Sequence, residues 1–360
     1  MQKKIIALAV AGLVSGAAFA QSNVTVYGVA DIGYNYATSD GNKYSGLQDG
    51  GDVGLQGSRI GFRGEEALGN GLKAIFTVEF GLNLSEGQGA GFNNHRQTFV
   101  GLSGKFGSVT LGRQYAPSGS WLGGTSSNSV TSVNISNYLI GQFRTLQTGN
   151  GSRWNNSIAY ESPNYSGFQF RGIYAFHPDT QNQVRDSFGD ASNDGSRLGL
   201  AVKYANGPLY LTAIYQAVLD DDAASTGMVG DGSNKAWAIG GSYDFKVVKL
   251  FANYIREKDD YWSFDLKKTY FSLGVGIPVS AAGSVQIEAA QYKTDIDETK
   301  SRGLSIGYQH ALSKRTTVYT YLTRLSNQDN IGASINRNQA QVGANGENQT
   351  GFAVGLNHKF

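Results

Sequence analysis

The connections in this 360-residue chain alternate in length, and that alternation limits its fold more tightly than any single motif does. Seven tight turns lie around Leu68 to Gly71, Gly104 to Gly107, Ser162 to Gly167, Ala205 to Pro208, Asp244 to Lys246, Pro278 to Gly283 and Ala311 to Arg315. Eight longer polar stretches lie between them, among them 37–57, 115–152, 178–195, 218–235 and 326–349. Each connection joins segments of about ten residues that alternate apolar and polar side chains, the period of a strand with two unlike faces. Residues 24–34 set Val24, Val26, Gly28, Ala30 and Ile32 against Thr25, Tyr27 and Asp31. Residues 72–82 set Leu72, Ala74, Phe76, Val78, Phe80 and Leu82 against Lys73, Thr77 and Glu79.

With a segment from Ser58 and others beginning near Arg96, Ser108, Arg153, Gly167, Ser196, Leu209, Ala236, Val247, Thr269, Ser284, Gly303, Thr316 and Thr350, the candidates number sixteen. An even number lets both chain ends lie on one side of a closed antiparallel sheet, and strand, short turn, strand, long loop is the rhythm of an outer-membrane barrel. The expected fold class is all-β: a 16-stranded antiparallel transmembrane β-barrel with short periplasmic turns and long extracellular loops. A soluble sandwich also alternates, but one of this length should divide into domains, and no linker or change of composition marks a boundary. A β-solenoid would show a fixed sequence period, and none is visible.

Residues 1–20, MQKKIIALAVAGLVSGAAFA, carry Lys3 and Lys4, an apolar run, and Ala18-Phe19-Ala20 as a small-residue cleavage site. This predicts a cleaved secretory signal peptide, leaving 21–360 as a single barrel domain. Without Lys3 and Lys4 the 30 Lys and Arg fall to 28, equal to the 28 Asp and Glu. A formally neutral mature chain gives bulk charge no part in binding a polyanion, so no nucleic-acid partner is expected. The lack of Cys removes disulfides, thiolate metal sites and cysteine nucleophiles. With 49 Gly, 5 Pro, 20 Tyr and 18 Phe, the composition suits many short strands joined by turns; a disordered linker would be poor in aromatics.

The stretch SRIGFRGEE at 58–66 states the problem of faces most sharply. Arg59, Arg63 and Glu65 project to one side of an extended strand, Ile60 and Phe62 to the other. In a membrane barrel the apolar face meets lipid and the polar face meets a water-filled interior, so charges spaced two apart need no buried partner. Closure also satisfies the backbone polar groups that the bilayer core cannot. Tyr34, Phe80, Tyr160, Phe176, Tyr204, Tyr243, Phe245 and Phe360 recur at segment ends, as interfacial girdles require.

Several blocks resemble the Gram-negative general diffusion porins, in particular those of β-proteobacteria. They are VTVYGVADIGYNY, SRIGFRGEEALGNGLKAIFTVEFG, RQTFVGLSGKFGSVTLGRQ, SIAYESPNYSGFQF, ALSKRTTVY and the closing GFAVGLNHKF. The resemblance implies a homotrimer in outer-membrane lipid and lipopolysaccharide, with the third long loop folded into each pore. It also implies passage of small hydrophilic solutes and inorganic ions, and a terminal Phe360 read by the outer-membrane assembly machinery.

Strands beginning at Ser58, Arg96 and Arg153 run from a long loop to a short turn, which sets Arg59, Arg96 and Arg153 at similar height, about 10 Å apart on alternate strands. Parity turns Arg59 and Arg153 inward, Arg153 sharing a face with Asn155, Ser157 and Glu161. Arg96 shares parity with the apolar Val100 and Leu102; related porins, which place a basic cluster on the pore wall at matching positions, turn it inward. Arg113 has the parity of Val109 and Leu111, outward, as at a subunit contact. The third long loop, Tyr115 to Asn150, contains no Asp or Glu and a single charge, Arg144. In cation-preferring members of the resembled family this loop carries carboxylates facing the arginines. Here the arginines stand unopposed from that side, and the channel is expected to prefer anions, with Asp31 and Glu79 placed to offset part of the field. A merely solvated basic face predicts weak selectivity instead.

His95, His177, His310 and His358 are scattered without metal spacing, and no cofactor is implied. GDGSNK at 230–235 lacks the strand and helix context of a phosphate cradle, and Asp220 to Asp222 suit a solvated loop tip better than a cation site. A passive channel, a substrate-specific channel with SWLGG as a binding platform, a surface adhesin or receptor, and a barrel enzyme remain as function classes. The last needs a nucleophile or acid set at the rim that is not legible.

Overall fold

A strand with one apolar and one polar face is stable only if both faces have a suitable medium and both edges have a partner. The computed structural model meets these conditions by closing one sheet on itself. It describes residues 23–40, 42–86, 95–125, 152–176, 196–222, 231–259, 265–335 and 344–360; the expected signal segment lies outside them. The strands are β1 (Asn23–Ser39), β2 (Asn42–Asp49), β3 (Arg59–Gly69), β4 (Leu72–Gly81), β5 (His95–Gly104), β6 (Gly107–Tyr115), β7 (Arg153–Glu161), β8 (Phe168–Ala175) and β9 (Ser196–Asn206). The series continues with β10 (Leu209–Asp222), β11 (Asp231–Asp244), β12 (Lys249–Asp259), β13 (Leu266–Pro278), β14 (Gly283–Thr294), β15 (Ser301–Ala311), β16 (Thr316–Asn327) and β17 (Gln349–Lys359).

The sheet has seventeen strands, yet the barrel has sixteen staves. From β3 onward each strand pairs antiparallel with the next, and β17 returns to β1. On its other side β1 meets two partners in series: β2 along Ile32–Ser39 and β3 along Asn23–Val29. The second stave is therefore β2 and β3 end to end, interrupted at 50–58. Sequence reading treated 37–57 as a loop. In fact β1 and β2 continue as a hairpin above the apolar band, because backbone pairing does not need the side-chain alternation that marks the membrane-spanning part. For the same reason β10 and β11 extend into the stretch read as a loop from 218 to 235, pairing from Val218 with Asn234 to Asp222 with Asp231 across a bulge.

The faces follow the alternation. Val24, Val26, Val100, Leu111, Leu200, Ile239, Leu273, Leu304 and Val354 are exposed on the outer wall, where lipid would lie. Asp31, Asn35, Glu79, Gln216, Asn253, Glu257, Ser272, Glu288, Ser305 and Asn357 are buried toward the interior. Short turns bend through left-handed backbone, as at Gly69, Asn70 and Gly71 with φ of 93°, 51° and 80°, where glycine carries no Cβ penalty. Closure is finished by Phe360, whose N–H and C=O pair with those of Gly28 at 3.1 and 3.0 Å. Its ring lies where a side chain on residue 28 would be.

The interior is not uniformly polar. Trp121, Leu122, Ile214, Ala236, Ala238, Ile255, Tyr270, Tyr292, Leu325, Ala333 and Ile335 form an apolar cluster on the inner wall of β10 to β16. Two connections supply its cover: the segment after β6 contributes Trp121 and Leu122, and the segment after β16 contributes Ala333 and Ile335. Strand parity alone reads inner positions as wet. These are dry because inward-folded segments bring apolar side chains that must themselves be covered.

Candidate functional site

The site lies where β1, β3, β4, β5, β6 and β7 face the lumen. In β3, Ile60 pairs with Phe80 and Phe62 with Val78 on the outer face, which turns Arg59 and Arg63 inward opposite Gly81 and Thr77. Glu79 on β4 is inward and central. Its Oε1 accepts from Arg96 Nε at 2.6 Å, and its Oε2 accepts from Tyr27 OH at 3.1 Å and lies 3.5 Å from Arg59 Nε. One carboxylate thus stands between two guanidiniums.

Arg96 reaches this point in spite of its parity. Val78 pairs with Thr98, but Phe80 pairs with His95, so β5 spends three residues where β4 spends two. The bulge at Arg96 and Gln97 reverses the alternation above it and turns Arg96 into the lumen while Val100 and Leu102 stay outward. A similar bulge in β7 separates Ser157, opposite Gly112, from Trp154, opposite Gln114. It parts Asn155 from Arg153: Asn155 Oδ1 accepts from Arg113 Nη1 at 2.5 Å instead, so the shared face read for Arg153 and Asn155 is corrected. Arg113 also donates from Nε to the His95 carbonyl at 2.9 Å.

Tyr115, at the end of β6, ties the cluster together. Its hydroxyl accepts from Arg96 Nη2 and from Arg153 Nη2, both at 2.9 Å, and the Arg153 guanidinium lies 4.6 Å from its ring centroid. Arg59, Arg96 and Arg153 are joined through Glu79 and Tyr115, not merely aligned. Arg153 is nearly covered, 6% exposed, whereas the Arg59 and Arg96 side chains are 19% and 15% exposed. Arg63 stands over the Tyr27 ring at 5.2 Å. Asp31 has inward parity but does not meet open lumen: it is 0% exposed, lying beneath residues 54–56.

Sequence reading missed Tyr27 and Tyr115, because a tyrosine in a strand looks like wall packing until its hydroxyl is located. It also missed Arg171, whose guanidinium binds Glu161 at 2.7 Å and the Tyr115 carbonyl at 2.8 Å, and Lys203, held 4.5 Å from the Trp121 ring. On the far wall Lys268 sits between Glu257 and Asp259 at 2.9 and 2.7 Å. With a cation shared between them, those two carboxylates spend their charge locally.

After Tyr115 the chain enters the barrel as a short helix α1 (Pro117–Trp121) and a 3-10 turn (Leu122–Thr125). Ser118 N–H donates to Gln216 Oε1 at 2.8 Å, Tyr210 OH to the Trp121 carbonyl at 2.6 Å, and Asn253 Nδ2 to the Thr125 carbonyl at 2.7 Å. This stretch crosses from β6 toward β10 and β12. The remainder of the third loop, with Arg144, lies outside the described residues. No group of three His, Cys, Asp or Glu among the described residues is placed to hold a metal ion.

A closed barrel with an apolar outer band, a polar inner wall and an inward-folded connection beside clustered charges defines a transmembrane channel of the outer-membrane type. A family model described as Gram-negative porin matches residues 7–330. Outer membrane porin protein 32 of Delftia acidovorans is 36% identical over 371 residues, covering all of both chains. Among solved structures, the anion-selective porin from Comamonas acidovorans is 32% identical with a TM-score of 0.77, covering 94% of this chain and 100% of that one. A trimer form of OmpT from Vibrio cholerae, at 15% identity and a TM-score of 0.63 over 94% of this chain and 99% of that one, shares the fold. The chain belongs to the Gram-negative porin family. It is an outer-membrane porin, a barrel that lets small hydrophilic solutes diffuse passively through its lumen.

Proposed function

We propose that this porin prefers anions and that Arg59, Arg96 and Arg153, with Arg63 beside them, set the preference. The observation that carries this reading is the charge count on one wall. Four guanidiniums share this wall with the carboxylates of Glu79, Asp31 and Asp49, a formal surplus of one positive charge, and Asp31 and Asp49 are both covered by backbone donors. Guanidiniums stay charged in a wet channel, and clustered cations raise the local concentration of anions. Asp31 and Glu79 belong to the constriction as the parts that hold or partly offset the arginines. The similar Comamonas porin is described as anion-selective, which favours the same direction.

Reconstitution into planar bilayers under a KCl gradient tests this directly. The expected reversal potential lies on the chloride side; one on the potassium side would sink the reading. Replacing Arg59, Arg96 and Arg153 by glutamine should move it toward zero. A guanidinium about 8 Å from an ion contributes roughly 0.5 to 2 kcal/mol between the limits of water and protein surface, so each removal should lower chloride entry roughly two- to thirtyfold and favour potassium entry by a similar factor.

The assembly we propose is a homotrimer, as the Vibrio porin's trimer form suggests for the fold, with Arg113 at the subunit contact. We further propose cleavage after Ala20, a single barrel domain from residue 21, lipopolysaccharide and outer-membrane lipid around it, and recognition of Phe360 during assembly. The chain acts as a channel without catalytic chemistry.

A further inference from the structure

The interrupted second stave folds inward at residues 49–58, and it meets the arginine cluster directly. A second short helix, α2 (Gly50–Val53), opens this knuckle, with Asp49 Oδ1 accepting from Gly51 N–H at 2.9 Å. Leu55 at its tip packs inside the barrel with Tyr319, Tyr321 and Ala353. Below it lies the Asp31 carboxylate, which accepts four hydrogen bonds. Leu55 N–H and Gln56 N–H donate to Oδ2 at 2.9 Å, Asn357 Nδ2 to Oδ2 at 2.8 Å, and Tyr319 OH to Oδ1 at 2.8 Å. The Asp31 main chain is engaged as well, its N–H donating to Ser58 Oγ and its carbonyl accepting from that hydroxyl, both at 3.0 Å. Any Cβ on Gly50 or Gly54 would collide with the Asp31 side chain, so the glycines allow the backbone to lie on the carboxylate.

The other side of the knuckle carries Arg59. Its Nη1 donates to the Gly57 carbonyl at 2.9 Å, and its Nη2 approaches Gln56 Oε1 at 3.4 Å. A Cβ on Gly57 would stand 3.2 Å from Arg96 Nη1, so the second exposed arginine abuts the same backbone. A buried carboxylate is tolerated only when donors surround it, and two of the four donors here are the knuckle's own N–H groups.

We propose that residues 49–58 are a further inward-folded element, one that constricts the channel, and that Asp31 is the positioning residue that locks it and, through it, holds Arg59 in the channel. This rests on the anion reading above for its effect on selectivity. Asp31 then acts for the arginines: its charge is taken up by four donors, and its work is to fix the backbone to which Arg59 is bound.

The chain has no cysteine, so Leu55→Cys gives a single thiol whose reaction with a cationic methanethiosulfonate reports release of the knuckle. The full chain carrying Leu55→Cys, with and without Asp31→Asn, is reconstituted in planar bilayers and in vesicles. Asparagine presents an amide donor where two N–H groups need an acceptor. The expected result is thiol modification at least tenfold faster, a changed unit conductance and a several-fold lower chloride-over-potassium permeability ratio. Gln56→Ala, which leaves the lock intact, should lower the ratio less and leave the thiol protected. If Asp31→Asn yields no channels, Gly54→Ala, whose methyl pushes the knuckle off Asp31, is scored by the same two readouts. Wild-type thiol protection together with wild-type selectivity in the variant that forms channels overturns the proposal. So does fast modification with unchanged selectivity, since the knuckle would then move without moving Arg59. The reversal potential of the unaltered channel, measured first, reports on the anion reading by itself.

Discussion

Glu79 is the residue on which most of the charged wall converges. It accepts from Arg96 and Tyr27 and stands 3.5 Å from Arg59. Removing its charge has two opposed consequences. Glu79→Gln takes away the carboxylate that offsets the nearby guanidiniums, so chloride preference should rise and the reversal potential should move further from zero. It also leaves two guanidiniums without their shared acceptor, which should cost about 1 to 3 kcal/mol of stability. Urea unfolding in lipid vesicles would read that loss beside the bilayer recording. Tyr115→Phe separates the roles differently: it removes the hydroxyl shared by Arg96 and Arg153 without altering formal charge. It should loosen Arg153 and broaden the conductance levels while leaving the sign of selectivity unchanged. Neither tyrosine was legible in the sequence, whereas Arg59 and Glu79 were, because a charge on an alternating strand has one sensible face and a phenol has two.

At the scale of elements, alternation predicts well wherever the strand is regular and misleads where it is not. Val100 and Leu102 share the parity of Arg96 and face outward, and only the extra residue in β5 turns Arg96 in. A bulge leaves no mark on side-chain chemistry beyond the break in parity itself. The same limit hid β2, which lies above the apolar band and so lacks the pattern that marked its neighbours. The outer face of β13 was legible throughout. Leu273 is exposed there, and Leu273→Arg should destabilise the barrel by about 2 to 4 kcal/mol if it lies near the bilayer midplane, as measured by denaturant titration in vesicles. Trp121 belongs to the opposite case, an apolar side chain inside a lumen read as wet. Trp121→Ala removes a member of the inner cluster and the ring beneath Lys203. It should free the segment after β6 and raise conductance noise in single-channel traces.

For the whole molecule the arginine surplus acts as a field, and fields in water are screened. The Debye length is about 10 Å at 0.1 M salt and about 3 Å at 1 M, comparable to the spacing of alternate staves. Chloride preference should therefore be strong under a dilute gradient and fall steeply when both chambers approach molar KCl, with the arginine-to-glutamine variants showing a flatter dependence. A preference that ignores salt would point to size or dehydration rather than to charge. The stave number and the two faces followed from spacing and composition, whereas the proposed direction of the field also drew on the family resemblance that turned Arg96 inward. The knuckle did not, because its glycines matter through their close approach to Asp31, and that carboxylate takes half of its donors from residues at the far end of the chain.

That distance has a meaning for the order in which the molecule comes into being. Asp31 is bound by Asn357 and Tyr319, residues on β17 and β16, and Asn357 is 326 positions away in sequence. Bringing such remote partners together costs about 5 kcal/mol in chain entropy beyond a constant term, whereas each hairpin costs far less. The seam between β1 and β17 is thus the natural last event, and until it forms the sheet has two open edges. The bonds from Leu55 and Gln56 N–H to Asp31 lie on the β1 side of that seam, and those from Tyr319 and Asn357 to the same carboxylate cross it. A barrel still open along it can have its wall, its girdles and its turns, but the carboxylate beneath the seat of Arg59 then has two of its four donors, so the filter gains its last fastenings only in the act of becoming a ring.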